Sequence, residues 1–357
     1  MTSAAAQSPA PAAGPTALGV DIPHVALLLP VDSSTFWRHA EALRDGFLAA
    51  SQIPDPPDLL IRVYAVGEDP KQAVASYRQA ISTGAKLVVG PLVRAAANAV
   101  AANEISVPTL LLNTPDGPLS SRPNLYAISL QIEAEARQAA HLAWRDGRRS
   151  AYTVVSDSVL LKRVHQSFVD AFVQLGGKHA GEFRYSTSAA NLERLRGAIA
   201  SATVDMAFLA LDSRQARNLR AALDPLPLYA SSQTYSADPA IAASLAGIRV
   251  LDMPWLLQPD HSAVMIYPRQ TYGDADLDRL YALGIDAWRI GQALLAHHAE
   301  ITLDGVTGKL TLGRDHQFTR ELVVQHPGQG ALDVPAGPIT PAAPLTPPAT
   351  IRPAPKP

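Results

Sequence analysis

His24-Val-Ala-Leu-Leu-Leu-Pro30, followed by Ser33-Ser34 and then by Trp37, Ala40, Leu43 and Phe47, is the stretch on which the fold turns. A nearly continuous apolar run ended by proline predicts a strand buried on both faces of a parallel sheet; a half-exposed strand would alternate polar and apolar residues. Ser33-Ser34 supplies a helix cap, and the apolar spacing after it has the 3.6-residue period of a helix packed on one side. A βα unit is the result.

The same alternation continues downstream. Strands are expected at 60–66, 86–89 and 109–112, with helices at 70–82 and 95–104 between them, which makes βαβαβαβ and a doubly wound sheet. The pattern then restarts. Helices at 133–146, 160–175, 191–201 and 213–223 alternate with strands at 150–155, 181–185, 206–211 and 227–231. A strand at 249–253, one long helix over 276–299 and a hairpin of 308–312 with 318–325 complete the folded part. An extra helix and strands after two α/β halves are what a chain recrossing between lobes supplies. The expected division is a first lobe of 22–130 plus about 254–305 and a second of 131–253 plus about 306–334. An Ala/Pro-rich linker at 1–21 and a Pro-rich tail at 335–357 flank them, the tail carrying too many prolines for helix or central strand.

Composition narrows the function. The 357 residues, 47% hydrophobic and 17% charged, exceed the roughly 250–300 at which a single core stops growing. A net charge of -2 with scattered Lys and Arg lacks the electrostatic footprint of a nucleic-acid binder. The chain has no cysteine, so disulfides, thiolate nucleophiles and cysteine-held zinc or iron-sulfur clusters are excluded. No apolar run approaches the roughly 20 residues of a membrane-spanning helix. The N-terminal stretch lacks the basic and apolar regions of a secretory signal, which read literally keeps the chain in the cytoplasm. The other reading is that the numbering starts after a removed export signal and that 1–21 is a tether to a lipid anchor.

Catalytic and cofactor motifs are missing. No G-x-G-x-x-G follows a strand, no P-loop is complete, and no G-x-S-x-G elbow occurs. The ten histidines include no H-E-x-x-H, and His297-His298 point to different faces of their helix. Asp274, Asp276 and Asp278 alternate like a calcium loop, but Arg279 and Ile285 stand where Gly and Glu are required. No cofactor, metal or catalytic residue is expected.

What remains is a set of polar strand ends. Ser33 and Ser34, Pro91, and Asn113 and Thr114 close strands of the first half; Asp157 and Ser158, Asp212 and Ser231 close those of the second. Ligands of open α/β sheets bind outside the carboxyl ends of the strands, which makes these nine the candidate cleft residues. Capping and turn formation explain each one equally well without a ligand.

Several longer segments carry a family resemblance. HVALLLPVDSSTFWRHAEALRDGFLAA resembles the opening strand, loop and helix of type I periplasmic binding proteins, and LVVGPLVRAAANAVA with TLLLNTPDG resembles the next part of that fold. ALGIDAW and the G-x-T-G-x-L and R-x-L of DGVTGKLTLGRDHQFTRELVVQHPGQG resemble the penicillin-binding protein activators of the LppC/LpoA type. The resemblance covers about residues 24–330. It implies two Rossmann-like lobes of the type I periplasmic binding protein fold. It also implies a periplasmic, non-catalytic protein, tethered to the outer membrane in its precursor, that stimulates a class A penicillin-binding protein. The long forms carry a helical-repeat domain before the α/β domain and a lipid-bearing cysteine; neither is in this sequence. The alternative is the solute receptor of an ABC importer, closing on an amino acid or similar small polar ligand. Strand-end loops poor in aromatic residues apart from Phe36 and Trp37 tilt the reading towards interaction.

Overall fold

The computed structural model describes residues 22–53, 59–67, 69–298 and 300–325. The linker expected at 1–21, the tail at 335–357, residues 326–334 and the expected helix end at Ala299 lie outside them.

The first lobe alternates β1 (His24–Leu29), α1 (Trp37–Ser51), β2 (Leu60–Ala65), α2 (Pro70–Ser82), β3 (Ala85–Val89), α3 (Arg94–Ala101), β4 (Thr109–Leu111) and β5 (Leu125–Ala127). All five strands are parallel, in the order β2-β1-β3-β4-β5. Every residue of β1 is buried, as its apolar run requires of the sheet's interior.

After a crossover at residues 128–131 the second lobe repeats the plan: α4 (Ile132–Arg145), β6 (Ser150–Val155), α5 (Val159–Gln174), β7 (Lys178–Arg184), α6 (Ala189–Ser201), β8 (Met206–Ala210), α7 (Ser213–Leu219), β9 (Leu228–Ala230), α8 (Pro239–Ser244) and β10 (Ile248–Asp252). Read from its far edge, its sheet runs β7-β6-β8-β9-β10, the same winding as the first. The chain then recrosses through α9 (Pro254–Leu257) and α10 (Ser262–Met265) to α11 (Ala275–Leu295), which packs against α1.

The last strands differ from expectation. β11 (Thr302–Gly305), unforeseen, joins β12 (Gly308–Leu312) and β13 (Phe318–Glu321) in a three-stranded antiparallel sheet. The hairpin's second arm is two strands, because β14 (Val323–Val324) leaves to pair antiparallel with β10. The segment from about residue 306, expected in the second lobe, divides between the two cores. Val306, Leu310 and Phe318 are buried in the first lobe's core, and only Leu322 and β14 pack with the second. α11 also stops before 299, its end turned by His297 in the left-handed conformation.

Two glycines allow α1 and α11 to touch. A Cβ at Gly46 would stand 1.9 Å from the Tyr281 carbonyl oxygen, and one at Gly284 would stand 2.1 Å from that of Leu43. Gly284 belongs to ALGIDAW, and the rest of that motif is structural too. Trp288 meets Phe47 edge to face at 5.3 Å between ring centroids. Asp286, fully buried, accepts hydrogen bonds from the Thr307 amide at 2.8 Å, the Thr307 hydroxyl at 2.7 Å and the Val306 amide at 3.1 Å. ALGIDAW and G-V-T-G-K-L therefore form one latch between α11 and the β11–β12 turn. Burial pushes the Asp286 carboxyl above its usual range, against the lowering effect of Arg289 and these donors.

Candidate functional site

The carboxyl ends of both sheets face a cavity of about 720 Å³ between the lobes. The first lobe contributes Phe36 and His39 from the start of α1 and Leu92, Val93 and Arg94 from the loop after β3. These elements follow β1 and β3, the neighbours between which the winding reverses, where an open α/β sheet forms its ligand crevice. The second lobe contributes Leu160 and Arg163 from the start of α5, and the crossover supplies Leu130 to Glu133. A second cavity of about 520 Å³ lies beyond the crossover, against β13. Ser129, Gln131 and Arg137 line both, so the two form one trough.

The lining is largely apolar. Phe36, Leu92, Leu112, Leu130, Ile132 and Leu160 are among its side chains. Trp37 is 49% exposed and Val159 77% exposed, each beside a lining residue on opposite lobes. The charges are mostly basic. Glu133, the only acid of the larger cavity, is paired with Arg163. Arg94 is paired with Asp116 at 2.6 Å, which, together with the Asn98 amide, holds the Asp116 carboxyl below its usual range. Arg137 has no hydrogen bond or ion pair among the described residues.

Of the nine candidate residues, Asn113 lines the cleft and Thr114 the adjoining cavity. The Asn113 amide donates to the Leu92 carbonyl at 3.0 Å, and the Thr114 hydroxyl bonds that of Ser129 at 3.0 Å. The other seven line neither cavity. The cap of α1 expected at Ser33-Ser34 falls instead on Phe36, which makes no side-chain cap bond; Ser33 is buried in the turn before the helix, its hydroxyl accepting from the amides of Phe36 at 2.9 Å and Thr35 at 3.2 Å, while Ser34 is exposed. Pro91 is buried after a cis bond. Asp157 and Ser158 are exposed at the start of α5, with Asp157 3.2 Å from Lys162. Asp212 closes a capping box with Gln215, and Ser231 is fully buried. The cavity is walled instead by Phe36, Leu92 and Leu160, one to three positions after Ser33, Pro91 and Asp157. The sequence signal for those was the pair of apolar residues 159–160 at the start of an amphipathic helix, where polar residues are usual.

A buried polar clasp closes the back of the cleft. Arg279 of α11 reaches from the first lobe to Asp252 at the end of β10, with Nη2 to Oδ2 at 2.6 Å and Nε 3.2 Å from both oxygens. The same guanidinium donates to the Ser232 carbonyl at 2.9 Å and to Asp276 at 2.6 Å. The Ser232 hydroxyl donates to Glu135 of α4, whose other oxygen accepts from Arg320 of β13 at 3.4 Å. Arg320 also donates to the carbonyls of Ser129 at 3.1 Å and Thr307 at 3.2 Å. None of Glu135, Asp252, Arg279 and Arg320 is more than 8% exposed. Burial by itself would lower the Arg279 pKa, but Asp252, Asp276 and Glu135 raise it overall. Burial raises the Glu135 carboxyl against the pull of Arg320. Paired in this way, the carboxylates are structural, and among the described residues no group of three or more His, Asp or Glu could hold a metal ion.

The model of the family described as "LppC putative lipoprotein" matches residues 3–329. The chain belongs to this family. Among similar proteins is the penicillin-binding protein activator LpoA of Edwardsiella piscicida, 29% identical over 77% of this chain and 46% of its own. That of Yersinia pestis is 27% identical over 79% of this chain and 51% of its own. The chain thus spans about half the length of the LpoA relatives it matches. The C-domain of Haemophilus influenzae LpoA, described as a regulator of PBP1A, superposes with a TM-score of 0.70 at 22% identity, covering 87% of this chain and all of that one, and so shares the fold. A Chromobacterium violaceum protein described as a "putative branched-chain amino acid ABC transporter" superposes with a TM-score of 0.73 at 36% identity, over 85% of this chain and 99% of that one. Asp286, Thr307 and Arg320, which lie within the matched range, belong to the latch and clasp. No helix among the described residues is long and apolar enough to cross a membrane.

Proposed function

We propose that this chain is the α/β domain of a periplasmic regulator that binds and stimulates a class A penicillin-binding protein, a peptidoglycan synthase, and catalyses nothing itself. The setting proposed with it is the periplasm, tethered to the outer membrane in the full-length precursor, which the family's lipoprotein description supports. The observation that carries this reading against an amino-acid receptor is the state of Glu133. A receptor for a zwitterion needs a free carboxylate facing the α-amino group, and the one acid lining the cleft is already neutralised by Arg163. The walls around it are apolar, and exposed Trp37 and Val159 beside them suit a protein surface better than a hydrated amino acid. The clasp and latch supply the rigidity that a docking platform requires.

Immobilising the class A synthase of the same organism and passing the full chain over it tests the proposal. Saturable binding is expected. A folded chain that does not bind would overturn it.

A further inference from the structure

A cavity of about 670 Å³, comparable in size to the cleft, lies on another side of the first lobe. It forms where the end of α11 meets the three-stranded sheet and the outer edge of β5. Its walls bring together His297, His298, His316 and Arg314 with a single carboxylate, Glu300. The Asn124 amide and the hydroxyl-bearing Thr302 and Thr311 complete the polar part, and Tyr126, Leu294, Ile301 and Leu312 supply apolar surface.

Three observations make this more than a surface hollow. The side chains of Asn124, His297, His298, Glu300 and Arg314, all but the first exposed, have no hydrogen-bond or ion-pair partner among the described residues and line this one concavity. His316, in contrast, is fixed: its Nδ1 lies 3.2 Å from the Leu125 carbonyl, and its ring stacks on Tyr126 with centroids 5.2 Å apart. A carbonyl can only accept, so Nδ1 carries the proton and Nε2 is left for another partner. Finally, Asn124, His297 and His316, with φ of 66°, 54° and 62°, are the non-glycine residues with left-handed backbone among those described, and all three line this cavity. His297 takes it to end α11 and His316 to turn the chain between β12 and β13, so backbone geometry sets both at the cavity's rim.

The donor set points to a chemical class. Arg314 and Glu300 balance, which disfavours a polyanion or a polycation. Imidazole, amide and hydroxyl groups that can both give and take hydrogen bonds, set beside an aromatic ring and aliphatic side chains, match a molecule dense in hydroxyls with apolar C–H faces. We infer that this cavity binds a saccharide.

The test titrates the full chain with three trisaccharides, chitotriose, cellotriose and maltotriose, to about 10 mM while following the histidine ring C–H signals by NMR, with inorganic phosphate as control. The inference expects saturable shifts of His316 and His297 with at least one sugar. Arg314→Ala and Glu300→Gln should each weaken that affinity about tenfold, the loss of one charge-assisted hydrogen bond, while leaving the melting temperature unchanged. Silence towards all three sugars overturns the inference. So do equal shifts with phosphate, or retained affinity in both variants.

Discussion

Asp252→Asn is the substitution that most sharply probes how the lobes are joined. It keeps the shape of the side chain and removes the charge that faces Arg279 across the lobe boundary, where the two side chains are 1% and 7% exposed. Deleting one partner of a buried ion pair costs about 3–5 kcal/mol, because the other charge is left without compensation. Arg279 keeps Asp276, itself 65% exposed, and the Ser232 carbonyl, so the lower end, about 3 kcal/mol, applies here. For lobes of this size that corresponds to a fall of about 6–12 °C in melting temperature. The paired replacement Asp252→Leu with Arg279→Met removes both charges and should recover most of the loss, since an apolar pair of similar volume is tolerated where a lone charge is not. Calorimetry on the full chain reads both variants. A single mutant melting within about 2 °C of the parent would refute the reasoning, as would a double mutant no better than the single one.

Other expectations follow from the same geometry. Gly46→Ala and Gly284→Ala should each cost at least about 1–3 kcal/mol by forcing α1 and α11 apart, measured by denaturant unfolding. His165 is held neutral, its pKa lowered from 6.5 first by burial and then by His179, with Glu182 opposing. Its folded pKa lies below the unfolded one, so its contribution is present above pH 6.5 and lost as the pH falls through the folded value. His165→Gln should therefore flatten the loss of stability in that window, and an unchanged slope in urea titrations at several pH values would contradict this. A thermal-shift screen of amino acids should find no stabilising ligand; a true receptor ligand at 100 times its Kd would add about 2.7 kcal/mol.

The layered order of the fold was readable because the central buried strands, such as 24–29, are mostly apolar and the long helices carry an apolar stripe. Elements without either signal escaped. β5 has three residues, β11 is half polar, and α8 is a short helix begun by Asp238-Pro239. The split of 318–325 into β13 and β14 depends on Leu322 finding the other lobe's core, a tertiary event with no local trace. The cleft was expected at the strand ends; of the nine side chains named there, Asn113 and Thr114 line the trough and the other seven do not. Asp212 is consumed by a capping box and Ser33 by the turn before α1, while Phe36, Leu92 and Leu160, one to three positions past Ser33, Pro91 and Asp157, face the cavity. The ALGIDAW and G-x-T-G-x-L segments form the latch inside the first lobe, through Gly284, Asp286 and Thr307, and Arg320 joins the clasp between the lobes.

The central claim is that this chain regulates a peptidoglycan synthase through protein contact. The most direct measurement is the rate of peptide cross-linking by the purified class A penicillin-binding protein of the same organism, with and without the full chain at saturating concentration. The account predicts a rise in cross-linked product that depends on the chain's concentration and disappears when it is unfolded. An unchanged rate in the presence of correctly folded chain would contradict it.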